Sequence, residues 1–270
     1  MRQSLCTITS NVEVMPGVYL MWLDAPDIAS SAQPGQFITV CCEGLVLRRP
    51  FSVHQVSSLS SPSTVEDSGE GEIALLFQVV GKGTFWLSQR QIGDEVDILG
   101  PLGNGFGIGS TSRKLLLVAG GIGIAPLVFL AQHVSSQHQV TLIQGTGTAA
   151  ELYPSSLFPK EVRFVSVTED GSAGKKGMVT DVLPDFLDWA DQIYACGPVD
   201  MYRAMAEMSL RAKRTNLKLK KCQVSLEVRM GCGIGACHSC TINTKHGLKQ
   251  VCRDGPVFEM NDILWQEVRI

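Results

Sequence analysis

The sequence predicts a multi-domain chain of three units: an antiparallel β-barrel over residues 1–105, an α/β domain on a parallel sheet over 106–215, and a small β-rich module over 216–270. Three observations predict it. Up to about Leu102 short apolar runs alternate with polar residues and are separated by turn residues, which suits a small antiparallel barrel. Beyond Arg113 strand and helix patterns alternate, as they do where helices cover a parallel sheet. Near the C-terminus Cys232, Cys237 and Cys240 stand at C-x4-C-x2-C spacing, with Cys252 further on.

In the first unit the pattern predicts strands at 7–14, 18–23, 36–40, 51–56, 73–80 and 95–99, and a short helix at 84–89. Between 57 and 72 the chain is rich in serine and low in complexity, and is expected to be a mobile excursion from the barrel. The second unit is expected to hold strands at 114–119, 140–144, 161–167 and 193–195, with helices at 125–135 and 199–213. For the third, strands are expected at 223–227, 241–243, 250–252 and 257–259. No internal repeat is visible.

At 270 residues the chain is long enough for two domains and a small module. A hydrophobic content of 44% with 18% charged residues describes an ordinary soluble protein, and a net charge of −3 gives no reason to expect a nucleic-acid partner. The basic stretch 211–221 reads as the solvated end of a helix, with a docking role as the alternative. The most apolar run, 115–131, is shorter than the roughly 20 residues of a membrane span. It also carries Gly120, Gly121, Gly123 and Pro126, so a buried strand, a glycine turn and a helix start fit it better. Nine cysteines without a signal peptide point to a reducing compartment, hence to a cytoplasmic protein without a membrane anchor.

The cysteine spacing is the plant-type ligand pattern of a [2Fe–2S] cluster, in which each iron takes two thiolates. Gly231, Gly233 and Gly235 let the backbone fold closely around it. A four-cysteine zinc site is the alternative, and disulfides are a weaker one. In the barrel, Leu47-Arg-Arg-Pro-Phe-Ser-Val53 sets Arg49 and Ser52 on an extended chain, where the guanidinium is placed for a diphosphate and the serine for an isoalloxazine ring. Gly83 and Thr84, at a helix start, suit phosphate oxygens, and 76–78 (Leu76, Phe77, Gln78) are expected to line the flavin or its ribityl chain. An ordinary strand and a hairpin turn are the plain alternatives.

Gly120, Gly121, Gly123 and Pro126 lie where a strand runs through a turn into a helix, at the sheet edge where open α/β folds take dinucleotides. The run is not G-x-G-x-x-G, and a structural turn is the alternative. Cys196, Gly197 and Pro198 end another strand at that edge, so Cys196 is a candidate to face a nicotinamide, or else inert packing. No Ser–His–Asp order, paired carboxylates or histidine cluster stands out, which leaves the chemistry to cofactors.

Taken together, Arg49-Pro-Phe-Ser52, Gly83-Thr84, Gly100-Pro-Leu-Gly-Asn-Gly-Phe106, Gly120-Gly-Ile-Gly-Ile-Ala-Pro126, Cys196-Gly-Pro198 and the cysteine motif resemble, over essentially the whole chain, the electron-transfer subunits of class 1B dihydroorotate dehydrogenase, within the ferredoxin–NADP reductase superfamily. The resemblance implies an FAD barrel with contacts at 49–52, 76–78, Gly83 and Thr84, an NAD(H) domain, and a cluster held by the four cysteines. It also implies an FMN-containing catalytic subunit that oxidises dihydroorotate, in a heterotetramer of two plus two subunits. The segment 144–153 carries no arginine or lysine for a 2′-phosphate, which favours NAD over NADP. A reductase subunit serving a hydrogenase or a ferredoxin:NADP reductase is the alternative, and a zinc-stabilised structural or regulatory module the second.

Overall fold

The computed structural model describes residues 1–57, 71–214 and 220–268. Most of the serine-rich run, and residues 215–219 of the basic stretch, lie outside the described residues. The first unit comprises β1 (Arg2–Met15), β2 (Val18–Asp24), α1 (Pro26–Ala29), β3 (Phe37–Val40), β4 (Arg49–Ser52), β5 (Gln55–Val56), β6 (Glu72–Gln78), α2 (Lys82–Ser88) and β7 (Glu95–Leu102). Its seven strands form one curled antiparallel sheet in the order β4-β3-β7-β1-β2-β6-β5. The seam is closed by side chains: Phe51 of β4 lies 5.7 Å from Phe77 of β6, centroid to centroid.

Strand β6 shows how the units are joined. Ile73, Leu75 and Phe77 point into the barrel with Ile8, Met21 and Ile98, as the period-two alternation of a strand requires. Ala74 and Leu76 point outward, yet they are buried too, against the second unit. Buried on both faces, the strand reads as a continuous apolar run.

The second unit comprises β8 (Lys114–Gly120), α3 (Ile124–Val134), β9 (Gln139–Thr146), β10 (Arg163–Thr168), β11 (Lys175–Lys176), α4 (Val179–Val182), α5 (Pro184–Leu187), β12 (Gln192–Cys196) and α6 (Val199–Arg214). Helix α3 is apolar nearly all round because it is sandwiched, with Leu127, Val128, Leu130 and Ala131 at or below 1% exposure. Among the described residues no helix is long and apolar enough to cross a membrane.

The remaining elements are β13 (Lys221–Ser225), β14 (Thr241–Thr244), β15 (Gly247–Gln250), α7 (Val251–Asp254) and β16 (Val257–Glu259). Two expectations are corrected here. The strands read at 223–227 and 257–259 as parts of the third unit belong to the central sheet, whose order is β11-β10-β9-β8-β12-β13-β16. Strand β13 runs parallel to β12, with Ile193 opposite Cys222, so β12-α6-β13 is a crossover unit that completes the sheet. In place of a strand at 250–252, β15 stops at Gln250 and the chain turns into α7, which puts Cys252 on a helical turn.

Candidate functional site

The four cysteines come together, and they fall into two pairs. Cys240 and Cys252 bring their sulfurs to 3.3 Å. Cys232 and Cys237 exchange contacts, each amide donating to the other's sulfur at 3.3 Å. Ala236 N–H also donates to Cys232 Sγ at 3.3 Å, and Gly235 N–H to Cys252 Sγ at 3.1 Å. Donors aimed at sulfur stabilise negative charge on it, which is what a thiolate ligand set needs. The Ser239 hydroxyl, the Ser239 amide and the Cys232 amide hold the Cys237 thiol down at about 6, while burial and the neighbouring Cys240 push Cys252 up to about 12. Four thiols arranged as two pairs suit a binuclear cluster, in which each iron takes two thiolates.

The cysteine loop rests on the barrel. A Cβ on Gly233 (φ +73°) would lie 2.9 Å from Thr39 Cγ2, and Thr39 of β3 pairs directly with Pro50 of β4. One inter-strand step, about 4.8 Å, therefore separates the loop's footing from the expected flavin platform. The far side of the loop is tied down by Asn104, whose amide donates to Gly255 O at 2.6 Å and whose side chain donates to Arg253 O at 3.1 Å. Beside Cys252 lies a shallow depression of about 300 Å³, lined by Met1, Pro101, Leu102, Ile234 and Arg253 among others.

On the barrel, Arg49 and Gly83 meet although they are far apart in sequence: a Cβ on Gly83 would be 2.9 Å from Arg49 Cγ. The Arg49 guanidinium donates to Leu47 O at 2.6 Å. Thr84 Oγ1 accepts the amides of Val80 and Gly81 at 2.9 and 3.1 Å, so its side chain organises the turn into α2. Helix α2 begins at Lys82, which places Gly83 and Thr84 in its first turn. Pro50, Phe51 and Ser52 are half-buried on β4, whereas Leu76 and Phe77 are buried in packing and Gln78 is exposed.

At the C-terminal edge of the central sheet the structure separates glycines that look alike in sequence. Gly123 packs against the Cys196 carbonyl and, with a Cβ, would lie 2.7 Å from Gly197 N; Gly120 packs on Pro198. Gly121, at φ +53°, is the open position: a Cβ added there would meet nothing within 4 Å. Pro126 is buried inside α3. Cys196 lies at this edge but is only 8% exposed, and burial pushes its thiol up to about 12, so it is a neutral thiol. Gly197 N–H donates to the Tyr202 hydroxyl at 2.8 Å, which donates to Ser225 O at 2.7 Å, fixing the turn between β12 and α6.

Sequence reasoning misses a buried network that joins the units. His54, fully buried after β4, contacts Ala125 O through Nδ1 at 2.8 Å and the Tyr153 hydroxyl through Nε2 at 2.8 Å. A carbonyl only accepts, so Nδ1 carries the proton and Nε2 accepts from tyrosine. Gln144 continues the chain, accepting Tyr153 N–H at 2.9 Å and donating to Gly121 O at 3.3 Å. No local signal marks His54, since its partners are 71 and 99 residues away.

Burial holds the His54 pKa at about 4, below its ordinary 6.5. Between those values the unfolded chain binds a proton that the folded chain refuses, so stability rises with pH across the window and is lost as pH falls through it. The expected loss from about pH 6.5 to 4 is about 3 kcal/mol. Urea midpoints taken across that range should fall in the native chain and fall less steeply in His54→Gln; equal slopes would show that other groups carry the effect.

Comparison with known proteins places these features in company. The family model described as "Iron-sulfur cluster binding domain of dihydroorotate dehydrogenase B" matches residues 227–264, and that of the "Oxidoreductase NAD-binding domain" matches 117–207. The dihydroorotate dehydrogenase B (NAD(+)) electron transfer subunit of Desulforamulus reducens is 40% identical over 94% of this chain and 95% of its own length. Its counterpart in Caldanaerobacter subterraneus subsp. tengcongensis is 38% identical over 96% and 97%. A chain from the structure of an NADH-dependent reduced ferredoxin–NADP oxidoreductase superposes with a TM-score of 0.81 at 28% identity, covering 97% of this chain and 91% of that one.

Proposed function

The chain belongs to the dihydroorotate dehydrogenase B (NAD(+)) electron transfer subunits, and from that membership we propose that it carries electrons from the FMN of a dihydroorotate-oxidising catalytic subunit, by way of a [2Fe–2S] cluster and FAD, to NAD+ in de novo pyrimidine (UMP) biosynthesis. The observation that carries this reading is the seating of the cysteine loop on Thr39, directly across β3 and β4 from Pro50. The bound groups supply one-electron storage at the iron–sulfur centre, conversion between one- and two-electron steps at the flavin, and hydride acceptance at the nicotinamide.

The chain's own residues hold and orient these groups. Cys232, Cys237, Cys240 and Cys252 ligate the cluster, and the loop amides stabilise its charge. Arg49, Pro50, Phe51 and Ser52 form the flavin platform, with Gly83 and Thr84 at the diphosphate. Leu76 and Phe77 act through their main chain, beside Gln78. Gly121 offers open backbone to NAD(H), while Gly120, Gly123, Pro126, Gly197 and Pro198 shape the turns around it, and Cys196 backs the site as a neutral thiol. By function we divide the chain at 1–105, 106–215 and 216–270, the last segment lending β13 and β16 to the central sheet. The catalytic subunit docks over the depression beside Cys252, the complex contains two copies of each subunit, and it works in the cytoplasm.

A second reading keeps the cofactors and changes the partner, favoured by the likeness to the reduced ferredoxin–NADP oxidoreductase chain. The test is the anaerobically purified chain, assayed for flavin, iron, sulfide and zinc. About one FAD, two irons and two acid-labile sulfides per chain are expected; a colourless zinc protein would overturn the reading. Co-purification with a dihydroorotate-oxidising, FMN-containing subunit, at a native mass of two plus two, decides the partner.

A further inference from the structure

The run His238-Ser239, between the last two clustered cysteines, has no part in ligation, and the geometry of the serine gives it one outside it. Ser239 Oγ accepts the Gly231 amide at 2.8 Å and lies 3.2 Å from Cys237 Sγ. With an oxygen lone pair engaged by that N–H, the hydroxyl's own proton is left to point at the sulfur. Cys237 is the most exposed of the four cysteines, the others being half-buried or buried. At an exposed sulfur water is the ordinary donor, and here a hydroxyl of the chain itself stands beside the sulfur on the side of Gly231. A Cβ on Gly231 would lie 2.9 Å from Cys237 Sγ and 3.1 Å from Ser239 Oγ, so the main chain, the sulfur and the hydroxyl are already in contact.

We propose that Ser239 sets the reduction potential of the bound cluster through its hydroxyl hydrogen bond to the Cys237 ligand sulfur. This rests on the reading that the four cysteines hold a [2Fe–2S] cluster. Reduction adds one electron and no bond is made or broken, so the reduced form places more negative charge on the ligand sulfurs than the oxidised form. A fixed donor stabilises the reduced form more, and so raises the potential. The Gly231 amide holds the donor in place before the electron arrives, so little reorganisation accompanies the transfer. Ser239 is thus a positioning residue that acts through Cys237, and it touches no substrate.

The test is an EPR-monitored redox titration of the anaerobically purified holo-complex, native and variant, with iron, sulfide and FAD assayed on each sample. Ser239→Ala is expected to keep two irons per chain and to make reduction about tenfold less favourable, a shift of about 59 mV to lower potential for one electron. Ser239→Thr, which keeps the hydroxyl, should restore most of it, and the FAD potential should not move in either. If Ser239→Ala fails to assemble, Ser239→Gly takes its place. A fully loaded variant with an unshifted potential overturns the proposal while leaving the cluster reading intact. Cluster loss from both the Ala and Gly variants, with Thr loaded, would assign the serine to assembly and overturn it as well. A native chain that holds no cluster would remove the proposal together with the reading beneath it.

Discussion

Cys237→Ser lowers dihydroorotate-driven NAD+ reduction by the assembled complex at least about 100-fold, because loss of an outer partner of a metal ligand alone costs about 10–100-fold and a ligand is worth more. NADH oxidation by an artificial acceptor stays within about threefold of the native rate, since the proposed flavin platform and nicotinamide edge lie in other parts of the chain. Two structural facts support the separation. The cysteine loop touches the barrel at Thr39 and Leu102, on the strands behind the platform, and β4 itself is held by its pairing with β3. Stopped-flow reduction from each side reads the two activities on one preparation. Equal loss of both would mean that the cluster does not stand between the partner and the flavin.

Gly123→Ala is expected to cost about 3 kcal/mol or more, as overpacking against unyielding neighbours does. The neighbours here are main-chain atoms, the Cys196 carbonyl and the Gly197 amide, and neither is the far end of a flexible side chain. For a chain of this size that corresponds to a drop of about 6–12 °C in Tm. Gly121→Ala, two residues earlier, meets nothing within 4 Å and suffers only its left-handed φ of +53°, a cost of about 1–2 kcal/mol. Its larger effect falls on NADH binding, seen as a raised KM. Differential scanning calorimetry with NADH kinetics on both variants separates the roles; equal thermal losses would mean that Gly121 is as structural as Gly123.

These two glycines show where the sequence is legible and where it stops. The strand, glycine turn and helix at 114–135 are written in a local pattern, so the turn is visible. Which glycine packs and which stays open depends on Cys196 and Gly197, far along the chain, and no local pattern carries that. The cysteine group is readable because three of its four members sit within nine consecutive residues. Strand β16 is recognisable as a strand, but its sheet is not, because three residues carry no information about their partner. Strand β13 escapes its true sheet for a related reason: its neighbour β12 is reached only through the whole of α6. The link from His54 through Tyr153 and Gln144 to Gly121 is invisible, since each member is an ordinary residue until the barrel and the sheet are packed.

Strands β13 and β16 are antiparallel neighbours, with Ser225 opposite Val257, and Leu226 N–H donates to Pro256 O at 2.9 Å just beyond them. The cysteine-bearing segment thus departs and returns at adjacent points, an insertion with both stems stapled to one sheet. A module on a single flexible tether explores a volume set by its linker and meets its target as a local concentration. A doubly anchored one has no such freedom: its closure entropy is already spent in folding. The spacing between the proposed redox centres is then a property of the hydrogen-bonded sheet. Gly-Ser repeats inserted between α6 and β13 should leave the rate of electron passage unchanged, whereas cutting the chain after Asp254 should free one stem and lose it.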